Sequence, residues 1–296
     1  MGIERMDSNQ ITRDYFDSLL IELRHIDSEI PDTSLTIFGQ RFENPIATAA
    51  LSHLYRTAPD GMTKMAEGTK LAGSLCFSGM GEEEEIQSMC ATGAKVIKII
   101  KPHQDNQVVF RKIREAEAAG ALGVGMDIDH AFSWQQGYDV CEGLHMRPKS
   151  LEEMRSFVAA TKLPFVVKGV LSVTDALKCL EIGAAGIIVS HHHGIVSHAI
   201  PPLMILPKIV EAVGGKMAIF VDCGIESGMD AFKALALGAD AVCIGRPIMP
   251  PLKENGAEGV RDKILEFNNQ LKIAMERTAF TSLDQIDSSV IYHRNF

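Results

Sequence analysis

Eight short runs rich in Val, Ile and Ala recur along the chain, at residues 45–50, 71–78, 95–101, 121–128, 164–170, 186–192, 218–224 and 241–247. Most are nearly continuous in apolar character, as strands buried on both faces are. Between them lie segments with helical spacing, including residues 173–182, 206–213 and 229–237, and these stop at Gly183, Gly214 and Gly238. Glycine in that place suits a helix C-terminus. Alternating strands and helices require a parallel sheet, and eight repeats of the unit predict a closed (β/α)8 TIM barrel. Residues 1–44 read as a polar lead-in with one helix over 12–24, residues 45–256 as the barrel, and residues 257–296 as a last helix and tail. No compositional break interrupts residues 1–296, so a single domain is expected.

Composition narrows the class. With 296 residues and 46% hydrophobic content the chain can bury a full core. No run approaches the ~18 uninterrupted apolar residues of a membrane span, and the polar, acidic start lacks the pattern of a signal peptide. Six scattered cysteines without metal-type pairing read as reduced thiols of a cytoplasmic protein. A net charge of −9 gives no general attraction to nucleic acid or anionic lipid, and the expected partner is a small-molecule substrate at the strand ends. The acidic run Glu82–Glu85 reads as the solvated start of a helix.

The last four apolar runs each deliver a polar or glycine residue at the C-terminal end, where a parallel barrel places its active site. These are Lys168, then Ser190 and His192, then Asp222, then Gly245 and Arg246. The glycine-bearing loops after the seventh and eighth runs suit a phosphate, with free backbone N–H groups and Arg246 as a charged fork. Lys168 ends a strand of Val and Phe, so its ammonium needs either a carboxylate such as Asp127 or an electron-rich ligand. Three consecutive histidines, His191 to His193, cannot all face one site, and no second ligand group has metal spacing. One inward-facing imidazole acting as a general base is the expectation, and no metal is. The irregular stretch 130–149 holds the only tryptophan, Trp134, which with His130 is a candidate lid.

At this point the residues resemble a known family. The stretch VVKGVLSVTDALKCLEIGAAGIIVSHHHG, and LPKIVEAVGGKMAIFVDCGIESGMDAFKALALGADAVCIGRP after it, are similar to the FMN-dependent α-hydroxy acid oxidases and dehydrogenases. The likeness is dense from Leu163 to Pro247 and fainter upstream. It implies FMN as cofactor, with Lys168 at the N1/O2 edge of the flavin and Ser190 against the ring system. Asp222, Gly224, Gly245 and Arg246 would hold the ribityl chain and phosphate, and Ala49, Ala50, Ser78 and Lys98 would border the flavin. His192 falls on the family's catalytic histidine, with Asp127 beside it. A homo-oligomer, tetramer or larger, is also implied.

Departures from the family pattern concern the substrate. The arginine that clamps the substrate carboxylate falls on Ile195, and the glutamine-x-tyrosine of the third strand reads Lys98-Ile99-Ile100. The seventh loop carries Glu226 and Ser227 where the family has arginines. Arg147, His193 and His198 are candidates to replace the clamp in the oxidation of a 2-hydroxy acid. The other readings are an oxidoreductase or isomerase acting on a substrate without that carboxylate, and a non-catalytic flavin- or phosphate-binding barrel.

Overall fold

A computed structural model describes residues 7–133 and 137–294, so Trp134 lies outside the described residues. The eight runs form the strands β1 (Ile46–Leu51), β2 (Leu75–Ser78), β3 (Lys95–Ile100), β4 (Gly123–Asp127), β5 (Phe165–Val170), β6 (Gly186–Val189), β7 (Ala218–Val221) and β8 (Ala241–Ile244). They pair in parallel and close into a barrel, β8 pairing with β1 and β4 with β5. The helices are α1 (Ser8–Ser18), α2 (Gly61–Leu71), α3 (Glu83–Ala91), α4 (Asn106–Ala118), α5 (Leu151–Ala159), α6 (Val173–Glu181), α7 (Pro202–Val213), α8 (Gly228–Ala236) and α9 (Met249–Glu276).

Strand alternation divides the apolar residues into two sets. Ala47, Phe77, Ile97, Ile99, Val166, Ile188, Phe220 and Cys243 fill the barrel interior. Ile46, Cys76, Val96, Ile100, Val124, Val167, Ile187 and Val242 face the helices. A hairpin of Leu35–Ile37 and Gln40–Phe42 adds Ile37 and Phe42 to the inner cluster and plugs the end where the strands begin. Each fully buried Phe or Ile contributes about 1.5–3 kcal/mol, so this plug and the inner layers fix the barrel wall from which the opposite rim projects.

Several boundaries differ from the sequence reading, for local reasons. The second run starts late because α2 extends to Leu71 and Gly73 turns the chain with φ 67°. The sixth run stops at Val189, and His192 and His193 turn away in the left-handed region, with φ 47° and 55°. The lead-in helix ends at Ser18 instead of Arg24, because Leu19–Ile21 pairs antiparallel with Ile291–His293. The stretch after β4 is less irregular than expected. It folds into two small hairpins, Phe132–Ser133 with Gly137–Tyr138 and Val140–Cys141 with Leu144–His145. Within α9, Gly256 breaks helical geometry at φ 59°, ψ −132°.

Helix α1 lies against the loops that follow β6 and β7. Thr12 Oγ1 is 2.8 Å from His191 Nε2, and Arg13 grips Asp230 through two N–H groups at 2.8 and 3.2 Å. Gly224 has φ 83°, and a Cβ there would come within 2.8 Å of Phe16 and 2.9 Å of Thr12. Glycine is therefore required for the seventh loop to sit beneath the lead-in helix.

Candidate active site

At the C-terminal rim of the barrel, strand parity brings a compact set of ionisable groups together. Lys168 is buried on β5, paired in register with Asp127 on β4, and its Nζ is 3.7 Å from Asp127 Oδ1 and 4.0 Å from Asp222 Oδ2. Two residues past Asp127, Asp129 has the same inward parity, and its Oδ1 lies 2.7 Å from His192 Nδ1. Asp127 Oδ2 is 3.4 Å from the same nitrogen. Lys168 Nζ also approaches His192 Nδ1, at 3.1 Å. An Nδ1 flanked by two carboxylates carries the proton, so the ammonium contact is one of adjacency and the Nε2 lone pair is left free.

Local backbone explains how Asp129 reaches the histidine. Gly169, with φ 92°, sits at a register shift between Lys168 and Val170, and a Cβ on it would be 2.6 Å from the Asp129 carboxyl carbon. The Lys-Gly pair therefore aims an ammonium inward and clears space for a carboxylate in one step. Ser190 Oγ accepts the His192 backbone N–H at 3.0 Å and holds the left-handed turn that presents the imidazole.

Charge balance shapes the titration of this cluster. Burial alone would lower the His192 pKa, but Asp127 and Asp129 outweigh it and hold it above the ordinary 6.5. Burial, then the neighbouring Asp127 charge, pushes Asp129 up to about 6. Asp127 is driven well below the usual carboxylate range, against its burial, by Lys168 and Lys101. Lys168 stays protonated because Asp127 and Asp222 overcome the cost of its burial. Although the ligand atoms of Asp127, Asp129 and His192 lie within 4.8 Å of one another, the two lysines already supply the compensating positive charge.

Beside this cluster opens a cavity of about 580 Å3, walled by Ala49, Ala50, Lys168, His192, His193, Asp222, Gly224, Gly245 and Arg246 among others. A Cβ on Gly245 would lie 3.5 Å from Ala49 Cβ, narrowing the cavity between β8 and β1. Arg246 is exposed, and no hydrogen bond or ion pair to it is found among the described residues. Cys223, in the left-handed region at φ 68°, donates its thiol to Asp222 Oδ1 at 3.0 Å; burial, then Asp222, pushes that thiol up to about 12. An alanine floor, a buried lysine at one end and an unpaired arginine beside glycine loops at the other suit an isoalloxazine ring with a phosphorylated side chain.

Some expected residues lie elsewhere. Ser78 and Lys98 are register partners, on the helix-facing parity of β2 and β3. The charged neighbours of Lys98 are Glu85, Lys112, Glu82 and Glu115 of the α3–α4 layer, and burial pushes its pKa down to about 8. Neither borders the cavity. The reason is period two: if Ile97 and Ile99 face inward, Lys98 and Ile100 cannot, and Lys101 must. Arg147 is held by Glu153, by Asn106 at 3.4 Å and by the Gln104 carbonyl at 3.2 Å, away from the rim cluster. His198 is exposed in a loop tied to the lead-in by the Ala199 N–H to Ser8 Oγ bond of 2.9 Å. His193 does line the cavity, on the Arg246 side.

Four residues at or beside the rim escaped the sequence reading as site groups: Lys101, Asp129, Gly169 and Cys141. Parity from Asp127 to Asp129 and from Ile99 to Lys101 places two of them only once the inward face of each strand is known, and the sequence alone does not show that face. His130 packs its ring 4.9 Å from that of His192 and sets its Nδ1 against the Asp139 carboxylate, with Cys141 Sγ 3.7 Å from the same nitrogen.

A barrel with a buried lysine, a carboxylate-clasped histidine and a phosphate-type cavity at its rim defines a flavin-nucleotide oxidoreductase architecture. Residues 1–159 and 145–293 match the FMN-dependent dehydrogenase family, and the chain belongs to it. FMN is therefore its cofactor and oxidoreduction its class of chemistry. Among curated relatives, glycolate oxidase 3 of Arabidopsis thaliana is 28% identical over 98% of this chain and 89% of its own length. The 4-hydroxymandelate oxidase of Amycolatopsis orientalis is 30% identical over 82% of this chain and 78% of its own. A crystal structure of mandelate oxidase superposes with a TM-score of 0.88 at 27% identity, covering 97% of this chain and 90% of that one.

Proposed function

We propose that this protein oxidises a small 2-hydroxy acid to the 2-oxo acid, with His192 as the base. The observation that carries the reading is the 2.7 Å contact between Asp129 and His192 Nδ1, which leaves Nε2 as the proton acceptor beside the FMN cavity. FMN, when bound, supplies the two-electron acceptor. Lys168 offers fixed positive charge to the electron-rich edge of the cofactor. Asp222, Gly224, Gly245 and Arg246 hold the ribityl chain and phosphate, while Ala49 and Ala50 provide the floor and Ser190 fixes the histidine turn. Asp129 sets the imidazole tautomer and stabilises the imidazolium once His192 has taken the substrate proton. The His130 ring, 4.9 Å from that of His192, supports a lid over the base that excludes water.

Glycolate oxidase, 4-hydroxymandelate oxidase and 2-hydroxyacid oxidase among the relatives support the substrate class. The loss of the guanidinium at Ile195 favours the second reading, a substrate without the carboxylate. Anaerobic mixing of the FMN-loaded protein with lactate, glycolate and mandelate separates the two: bleaching of the flavin by one of them supports oxidation of a hydroxy acid, and bleaching only by neutral alcohols supports the other. Among the described residues no helix is long and apolar enough to cross a membrane. Six free thiols support a cytoplasmic setting, and the family resemblance supports a homo-oligomer of four or more chains.

A further inference from the structure

We infer that Lys101 is the group that binds the substrate carboxylate, in place of the arginine missing at Ile195; the inference rests on the 2-hydroxy acid reading. Lys101 follows β3 directly and has the inward parity of Ile97 and Ile99. Only 8% exposed, it places its Nζ 2.6 Å from Asp127 Oδ2, and that oxygen is 3.4 Å from His192 Nδ1. The ammonium is thus one carboxylate away from the base. Two residues further on, His103 bridges to Met146, so Lys101 lies beside the segment that follows β4, where its charge also bears on His130 and Cys141.

Its hydrogen-bonding capacity is only partly spent. An ammonium has three donors, and Asp127 is the one partner found for Lys101 among the described residues. Buried donors without acceptors are costly, so the remaining N–H groups of Lys101 favour a ligand oxygen beside Asp127. The other cations are engaged or lie elsewhere: Lys168 sits between Asp127 and Asp222, Arg246 is at the glycine-loop end of the cavity, and Arg147 is tied to Glu153 away from the rim. Lys101 combines a buried positive charge, open donors and a place one carboxylate from His192, and unlike Lys168 it does not line the FMN cavity. A carboxylate bound there would leave the carbon bearing the hydroxyl near the imidazole, with the Asp127 carboxylate holding the ammonium in position.

A lysine makes a point contact where an arginine makes a fork, so it recognises the charge of the acid more than its planar shape. The selected ligands are therefore carboxylates as a class, against their neutral esters and amides. The test compares the FMN-loaded wild type with K101M and K101R. Oxalate binding is read from the perturbed flavin absorption, and anaerobic flavin reduction is measured with a 2-hydroxy acid and with its methyl ester. K101M is expected to bind oxalate about 10- to 100-fold more weakly, the loss of a charged hydrogen bond. It is also expected to lose the preference for acid over ester, with FMN binding unchanged. K101R, which keeps the charge, is expected to retain most of the oxalate affinity and guards against a misfolded K101M. Wild-type oxalate affinity and acid preference in FMN-loaded K101M would overturn the assignment of Lys101 alone. A wild type reduced by the ester or another neutral alcohol but by no acid would overturn the 2-hydroxy acid reading and the clamp with it.

Discussion

Asp129 Oδ1 lies 2.7 Å from His192 Nδ1 because Gly169, across the β4–β5 pair, has no side chain to occupy the carboxylate's place. Chemistry and backbone geometry are coupled at that point: the motif lysine, the glycine after it and an acid from the neighbouring strand form one device. The consequence is an imidazole held in a single tautomer. Removing the charge while keeping the shape, D129N, is expected to slow flavin reduction by about 100- to 10,000-fold with FMN content unchanged. Single-turnover reduction of the loaded variant is the check.

G169A tests the backbone side of the same device. A Cβ would meet the Asp129 carboxyl carbon at 2.6 Å, and φ 92° is unfavourable for any L side chain. A loss of about 1–3 kcal/mol in stability is expected, together with slower flavin reduction. Thermal unfolding and single-turnover kinetics on the same preparation measure both.

The pH dependence follows from the direction of the His192 shift. Its pKa lies above 6.5, with Asp127 and Asp129 prevailing over burial, and the base must be neutral to accept a proton. The rate of flavin reduction at low substrate is expected to fall as pH drops through that raised value. D129N removes one of the two carboxylates, so the surviving limb should move to lower pH. A pH profile of the second-order reduction rate for both proteins reads the displacement directly.

Lys98 gives a prediction about stability with no counterpart in cofactor binding. Its folded pKa is about 8 against an ordinary 10.5, from burial first, so the folded state releases protons more readily than the unfolded one. The resulting penalty is present in full below about pH 8 and disappears as pH rises toward 10.5, which means stability should increase across that window. K98M is expected to raise stability at neutral pH by about 1–3 kcal/mol and to leave FMN affinity unchanged. Lost FMN affinity would return Lys98 to the cofactor site.

The sequence was legible wherever continuous apolar runs end in a polar residue. Lys168, His192, Asp222 and Arg246 were readable because each terminates such a run, and the structure gathers them at one rim. Parity within a strand was harder to read. In Lys95–Ile100 both faces are apolar, inner against Phe77 and outer against the helices, so alternation leaves no hydrophobic trace and Lys98 and Lys101 exchange roles without a signal. Asp129 and the segment from residue 130 to 149 were obscured for a different reason: their two-residue strands are too short to show a period. Arg147 looked available as a clamp because the sequence could not reveal its grip on Glu153.

Anaerobic reduction of the FMN-loaded protein by a panel of 2-hydroxy acids, measured beside H192A carrying the same FMN, tests the central claim most directly. The account predicts that at least one acid bleaches the wild-type flavin, and that H192A binds FMN normally but is reduced at least about 100-fold more slowly by it. Equal rates in the two proteins, or a wild-type flavin that no 2-hydroxy acid reduces, would contradict it.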